Sequence, residues 1–435
     1  MDSIKMTTEQ QLQKGWKKTT LGEIATYVNG RAFKPIEWSK TGTPIVRIQN
    51  LNNPNAEYNY YDGYIEEKYH IENGDLLFAW SASLGAYIWK GKSAFLNQHI
   101  FKVLPKENVD KTFIYYLLDK VTSELYAKAH GSGMVHVTKG KFEATSVNIP
   151  SLETQQAIVN KIESLFDEID EGIGRLKTAA QQIQQYRQSL LKNAFNGELT
   201  KEWRSKHADT LPSENELLAQ IQTAREQHHA RQLADWQNVT IGEVVTISPK
   251  KETAIDDNTD VSFSSMHLMS SSISEHLTYE IKKWADVKKG FTVFRNNDVL
   301  LAKITPCFEN GKSAVAQDLI NGIGTGSTEF MVLRCSSQLL PKFLYFLVNT
   351  PDFRQAGIHN MTGSVGHKRV PKDFVSSWTF SLPSLTEQTQ IVAILETKLT
   401  ACDQLAAELA KQLKQAELLK QAVLKAAFSG SLLDK

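Results

Sequence analysis

Cysteine is scarce: 435 residues contain three, Cys307, Cys335 and Cys402. An odd number without Cys-x-x-Cys spacing argues against a disulfide framework and a cysteine zinc site, and fits a reducing compartment. Long apolar runs are missing too. No stretch approaches the roughly eighteen apolar residues of a membrane span, and Met1 to Gln13 is polar, so the expectation is a cytoplasmic protein with no membrane partner. Charge of one sign is also lacking, since 49 Lys+Arg against 48 Asp+Glu leave a net +1. So weak a field cannot gather a polyanion over the whole surface, and any nucleic-acid site must be local.

Catalytic signatures are absent as well. Gly91-Lys92-Ser93 and Gly311-Lys312-Ser313 look like the tail of a phosphate loop, but the upstream glycine that the loop requires is Ala86 in one and Pro306 in the other. Both read as turns between strands. There is no Gly-x-Gly-x-x-Gly after a strand, no Gly-x-Ser-x-Gly elbow, no His-Glu-x-x-His and no Asn-Pro-Pro-aromatic tetrad. His228-His229 lacks a third ligand, so no metal is expected. The reading is a binding scaffold with no catalytic residue and no cofactor of its own.

What the chain does contain is itself, twice. With 41% hydrophobic and 22% charged residues it is globular, and its length exceeds a single core. Trp16, Thr20 and Leu21-Gly22-Glu23-Ile24 return as Trp236, Thr240 and Ile241-Gly242-Glu243-Val244, an offset of 220. Asn73-Gly74-Asp75 returns as Asn296-Asn297-Asp298 at 223, and Gly131-Ser132 as Gly363-Ser364 at 232. From Pro150 to Leu199 the offset holds at 233, with 17 of 50 positions identical. One residue inserted in a helix turns everything after it by about 100° and carries the apolar stripe off its partner, whereas loops between strands accept insertions. A fixed offset therefore marks a helix, and a drifting offset marks β-rich structure. The expected fold class is α+β: a polar segment at 1–15, a β-rich domain at 16–150, a long helix at 151–199, a linker at 200–235, a second β-rich domain at 236–383 and a second long helix at 384–435.

The helices carry a seam. Ile162, Ile169, Leu176, Ile183 and Leu190 recur every seven residues, as do Leu395, Cys402, Leu409, Ala416 and Val423 in the second copy. Leu399, Leu405, Leu413 and Leu419 fill the second stripe. Ser384 with Glu387 makes a capping-box pattern, and Gly197 and Gly430 stand where a helix would end. A helix over 152–195 would be about 66 Å long. The linker carries Pro212 and a Ser213-to-Glu216 capping pattern ahead of a short helix.

Pro150-Ser151-Leu152-Glu153-Thr154-Gln155-Gln156-Ala157-Ile158-Val159 and Pro383-Ser384-Leu385-Thr386-Glu387-Gln388-Thr389-Gln390-Ile391-Val392 closely resemble the helix-opening motif of the specificity subunits of Type I restriction-modification systems, Pro-x-Leu-x-x-Gln-x-x-Ile-Val. Leu191-Lys192-Asn193-Ala194-Phe195-Asn196-Gly197-Glu198-Leu199 resembles the closing one. The first copy departs from the family with Thr154 where Glu is usual, which bears on a side-chain cap. Residues 302–312 also look like a recurring segment of the family's target recognition domains. The resemblance implies a non-catalytic reader of double-stranded DNA. Two target recognition domains would each read half of a bipartite site, and the two helices, packed as an antiparallel coiled coil, would set the gap. Two modification (methyltransferase) subunits using S-adenosylmethionine, and two restriction (motor-nuclease) subunits using ATP and Mg, would dock on the chain.

Loops at equivalent places in both halves offer the side chains that read base edges and hold phosphates. In the first domain these are Arg31 and Lys34, Arg47 with Asn50, Ser81, Gln98-His99, and Ser132, His136 and Lys139. In the second they are Lys250-Lys251, His267, Lys303 with Thr305, Thr328, and Ser364, His367, Lys368 and Arg369. Tyr58, Tyr60, Tyr61 and Tyr64 read as strand and core residues rather than base stackers. Residues 16–150 carry 16 Lys+Arg and 13 Asp+Glu, a thin excess, so useful affinity is expected only with the modification subunits closed around DNA. The alternatives are the recognition subunit of a motor-less methylation and cleavage system, or a coiled-coil scaffold with no DNA role.

Overall fold

A computed structural model describes residues 15–53, 55–81, 83–128, 138–207, 236–251, 255–271, 276–364 and 366–433. The fold is α+β, in two compact units: Met1–Leu176 with Lys411–Lys435, and Lys177–Ala410. The linker helix expected after Ser213, and His228-His229, lie outside the described residues.

In the first unit an antiparallel sheet runs in the order Ala25–Asn29, Ile100–Pro105, Leu76–Ala79, Gly85–Ile88. A second sheet runs Asn59–Tyr61, Thr43–Val46, Ala94–Leu96, His70–Ile71, with its central pair parallel. The second unit repeats both. Its first sheet is Val245–Ile247, Phe330–Cys335, Val299–Ala302, Ser313–Val315. Its second is Glu280–Lys283, Asp260–Ser264, Ile323–Gly326, Thr292–Arg295, again with a parallel central pair. Gly91-Lys92-Ser93 and Gly311-Lys312 fall between strands, as expected of turns.

One strand shows why the layers form. Alternate side chains of a strand point to opposite faces. In Leu76-Leu77-Phe78-Ala79, Leu76 and Phe78 enter a core with Phe113 and Leu117 of the helix Lys111–Lys128, while Leu77 enters another core with Val46, Ile71 and Leu96 of the second sheet. Val299 and Leu301 likewise face Phe343 and Leu344, while Leu300 faces Phe294. A strand buried on both faces has no polar residue to spare, hence Leu-Leu-Phe-Ala and Val-Leu-Leu-Ala. Each domain is closed by a two-stranded ribbon, Lys17–Thr20 with Ser146–Ile149 and Gln237–Thr240 with Thr379–Leu382, which delivers the chain to the start of a long helix.

The long helices are Leu152–Phe195 and Leu385–Ser429, and the first runs unbroken through Gly172 and Gly174. Gly197 and Gly430 follow them at φ +78° and +85°. In the second unit Arg187 pairs with Asp403, and Arg204 bridges the Gly197 carbonyl to Glu387, so residue numbers rise along one helix as they fall along the other. In the first unit Lys420 Nζ lies 2.6 Å from the Asp170 carboxylate. Asp170 is equivalent to Asp403 and Arg187 to Lys420 in the repeat, so the same ion pair is made once in each unit. Ile162, Leu190, Leu395, Cys402 and Val423 are buried, and Ile169, Leu176, Ile183, Leu409 and Ala416 half-buried.

Two members of the intervening stripe leave it, however. Leu405 and Leu419 are 57% and 52% exposed. Each sits three residues after a seam position, which turns it about 60° away, whereas the residue after it, Ala406 or Lys420, turns back by about 40°. Those two are half-buried instead.

Candidate nucleic-acid interface

In the second unit the candidate side chains gather where the central strand Val299–Ala302 ends. The Lys303 N–H donates to the Glu329 carbonyl (3.0 Å), and its ammonium to that of Thr328 (2.9 Å). Thr305 donates to the Lys368 carbonyl (3.0 Å), and Val370 to that of Lys303 (2.8 Å). Arg369 and Thr362 exchange backbone bonds, and His367 donates to the Ser364 carbonyl (3.0 Å) in the turn between them. Lys303, Thr305, Thr328, Ser364, His367, Lys368 and Arg369 therefore share one surface, with Ser364, His367 and Lys368 exposed. Arg369 is not a free cation there. It forms a bidentate pair with Glu329 (2.9 and 2.7 Å), and this bond holds the Glu329 carboxyl below the usual carboxylate range.

Beneath this surface lies a residue that sequence reasoning missed. Buried Arg354 donates to the carbonyls of Phe308 (3.0 Å) and Gly311 (3.1 Å) and to Asn349 Oδ1 (2.8 Å), and stacks on the Phe308 ring. It braces the loop that follows Thr305. Burial pulls its guanidinium down to about 10, which leaves it charged at neutral pH. A lone Arg in a helix gives no sequence signal of such a role.

The first unit builds the same junction from different residues. The Trp80 N–H donates to the His99 carbonyl (3.2 Å), the bond that Lys303 makes to Glu329 in the other copy. Trp80 Nε1 donates to Asn29 Oδ1 (3.1 Å), Arg31 N–H to the Leu96 carbonyl (2.9 Å), and Asn97 N–H to the Val46 carbonyl (3.2 Å), next to Arg47. Gly30 is required, because a Cβ there would stand 2.1 Å from the Asn97 carbonyl oxygen. Arg31, Arg47, Ser81, Gln98 and His99 thus converge, and Lys34 sits exposed in the adjoining turn.

Several candidates have other partners. Asn50 is 3% exposed: Oδ1 accepts the Arg47 N–H, and Nδ2 spends both hydrogens on the Ala56 and Glu57 carbonyls. It shapes its turn and, buried there, has no donor left for a base. Arg31 is paired with Glu37 at 2.5 Å and lies over Phe33. The Lys139 ammonium reaches back to the Tyr27 carbonyl (2.7 Å). Lys251 donates to the Lys288 carbonyl and lies over Trp284; with Lys250, Arg295 and Arg334 it lines a small separate pocket. His267 bonds Ser265 in a turn that the Lys312 ammonium ties to the loop after Lys303, through the Met266 carbonyl (2.9 Å). Ser132 and His136 lie outside the described residues. Of the tyrosines, Tyr61 packs on Phe33 and Phe95, whereas Tyr64 is 91% exposed.

The capping box at the second helix is half realised. Ser384 Oγ accepts the Glu387 N–H, but the Glu387 side chain, 2% exposed, turns away. It accepts from Thr200 (2.6 Å), Arg204 (2.7 Å) and the Trp236 indole (2.9 Å), and so joins the end of one helix, the start of the other and the start of the second domain. Thr154 at the equivalent position bonds Ser151 and, among the described residues, makes no such junction, so the difference between copies concerns a junction as well as a cap. Burial, with the Asp298 charge nearby, pushes the Cys335 thiol up to about 12, which makes it a poor nucleophile.

A family profile described as Type I restriction modification DNA specificity domain matches residues 13–177 and again 234–415, the two halves that share this junction. The chain belongs to that family. Over 171 residues it is 42% identical to the Type I restriction enzyme EcoAI specificity subunit of Escherichia coli, a match that covers 39% of this chain and 29% of that protein. The EcoBI specificity subunit of the same organism is 24% identical over 432 residues, covering 96% and 86%. Among solved structures, a chain of a type I R-M system studied for complex assembly and conformational transition superposes with TM-score 0.68 at 18% identity, over 97% and 99% of the two chains. The HsdS subunit from Thermoanaerobacter tengcongensis gives 0.53 at 20%, over 97% and 98%. These specificity-domain likenesses account for the duplicated α+β fold.

Proposed function

We propose that this chain is the non-catalytic DNA sequence-recognition subunit of a Type I restriction-modification complex. The observation that carries the reading is the junction made twice: equivalent strand ends, joined by the same backbone bond, present Trp80-Ser81 and Gln98-His99 in one half and Lys303 with Thr328-Glu329 in the other. One scaffold with unlike side chains is what two readers of unlike half-sites need. Short polar groups and cations at loop tips suit base edges and phosphates. The long helices would set the spacing between half-sites and dock two modification subunits, with two restriction subunits joining for cleavage. S-adenosylmethionine, ATP and Mg would belong to those partners, in the cytoplasm. Mapping adenine methylation in cells that express the chain with its neighbouring methyltransferase tests this. A bipartite motif with a fixed unread gap is expected; an unmethylated or non-bipartite pattern would reject it.

A further inference from the structure

Both long helices open on Pro-Ser-Leu-x-x-Gln, and in both the glutamine is buried, Gln155 at 1% and Gln388 at 0% exposure. In the first unit Gln155 Oε1 accepts the Asp110 N–H (2.9 Å), and Nε2 donates to the carbonyls of Pro150 (2.9 Å) and Asn108 (3.3 Å). In the second, Gln388 Oε1 accepts the Leu340 N–H (2.8 Å), and Nε2 donates to the carbonyls of Pro383 (2.9 Å) and Gln338 (2.9 Å). Each amide ties the residue that leads into the long helix to the turn that opens the domain's own core helix, Lys111–Lys128 or Pro341–Leu347. Asn108-Val109-Asp110 and Gln338-Leu339-Leu340 have no residue in common, yet the bonds coincide. The repeat preserves the joint although the turn sequence has changed completely.

Apolar packing also holds each domain on its helix, for example Phe343 and Ile391 within one core. Such packing is not directional, so small slides and rotations change it little. Hydrogen bonds weaken steeply with misalignment, and a neutral amide of this length both donates and accepts. We propose that Gln155 and Gln388 are positioning residues that fix the angle of each recognition domain on its helix, and with it the number of unread base pairs between the half-sites. This rests on the reading under Proposed function. Neither side chain needs to touch DNA; the effect passes through the backbone of the turn.

The test uses the full chain in complex with its methyltransferase. Duplexes carry both half-sites at the native spacing, at one base pair more and at one fewer, and a further set carries single base changes within a half-site. Gln155→Met and Gln388→Met should each reduce the preference for native spacing about tenfold, the scale of one or two lost hydrogen bonds, while half-site discrimination stays within about twofold. Gln155→Glu and Gln388→Glu, which keep the size and lose the donors, carry the same expectation and decide the matter where a Met variant does not fold. Unchanged spacing preference in the folded variants, or base discrimination that falls in step with it, overturns the inference. A wild-type complex that methylates no bipartite site overturns the proposed function itself, a distinguishable result.

Discussion

At the scale of single residues, the type of a candidate was legible and its partner was not. A basic side chain beside a glycine turn can be picked from sequence, but Arg369 meets Glu329 from forty residues away, and only the fold brings them together. A paired guanidinium is a weaker phosphate ligand than a free one, since its carboxylate must be displaced or tolerated near the DNA. Glu329→Gln should therefore strengthen DNA binding and steepen the dependence of log K on log salt by about 0.9, one phosphate contact, in fluorescence anisotropy at several salt concentrations. A slope that does not change would remove Arg369 from the interface. The pair also has a pH signature. Because the folded Glu329 carboxyl sits low, the stabilisation it brings is fully present above the ordinary glutamate range and is lost as pH falls through the folded value. In carboxyl NMR titrations Glu329 should titrate below an ordinary glutamate, and Arg369→Ala should move it up. Asn50 shows the opposite: a polar residue that reads from sequence as a base contact shapes its own turn, where short-range backbone bonds take both of its amide hydrogens.

At the scale of elements, period and offset fixed the long helices well, since helices tolerate neither insertion nor phase slip. Local pattern did less well where distant partners compete. Ser-x-x-Glu at Ser384 predicts a carboxylate folded back on the helix start, yet Glu387 finds three donors from other elements, and charge-assisted bonds to a guanidinium, a hydroxyl and an indole outweigh one exposed backbone N–H. A buried carboxylate with a paired guanidinium is costly to break from one side. Glu387→Ala should destabilise the second unit by about 3 to 5 kcal/mol in urea unfolding, because Arg204 loses the carboxylate that balances its charge and the Trp236 indole loses this acceptor. The equivalent Thr154→Ala should cost about 1 kcal/mol or less, the scale of a single hydrogen bond near the surface. Equal losses in the two would show that Glu387 acts only as a helix cap. Sheet order was the least legible part. The parallel pairing of Thr43–Val46 with Ala94–Leu96 joins strands some fifty residues apart, and no short-range pattern encodes that choice.

At the scale of the whole molecule, the repeat makes a prediction that neither half makes alone. Leu176 and Leu409 are equivalent seam positions, half-buried in both copies. Four residues inserted after each would lengthen both helices by about 6 Å and rotate the remainder of each helix by only about 40°, so the seam residues still face their partners. Antiparallel struts lengthened together keep their pairing, whereas an insertion in one alone leaves the other short. If the helices set the distance between two DNA readers, 6 Å corresponds to about two base pairs at 3.4 Å each. Methylation mapping of cells that carry the double insertion should then show both half-sites unchanged and the gap longer by one to two base pairs. Insertion in one helix only should instead destroy methylation or broaden the gap. An unchanged gap with full activity would mean that the DNA path, set by the modification subunits, fixes the spacing and that the helices serve only to connect.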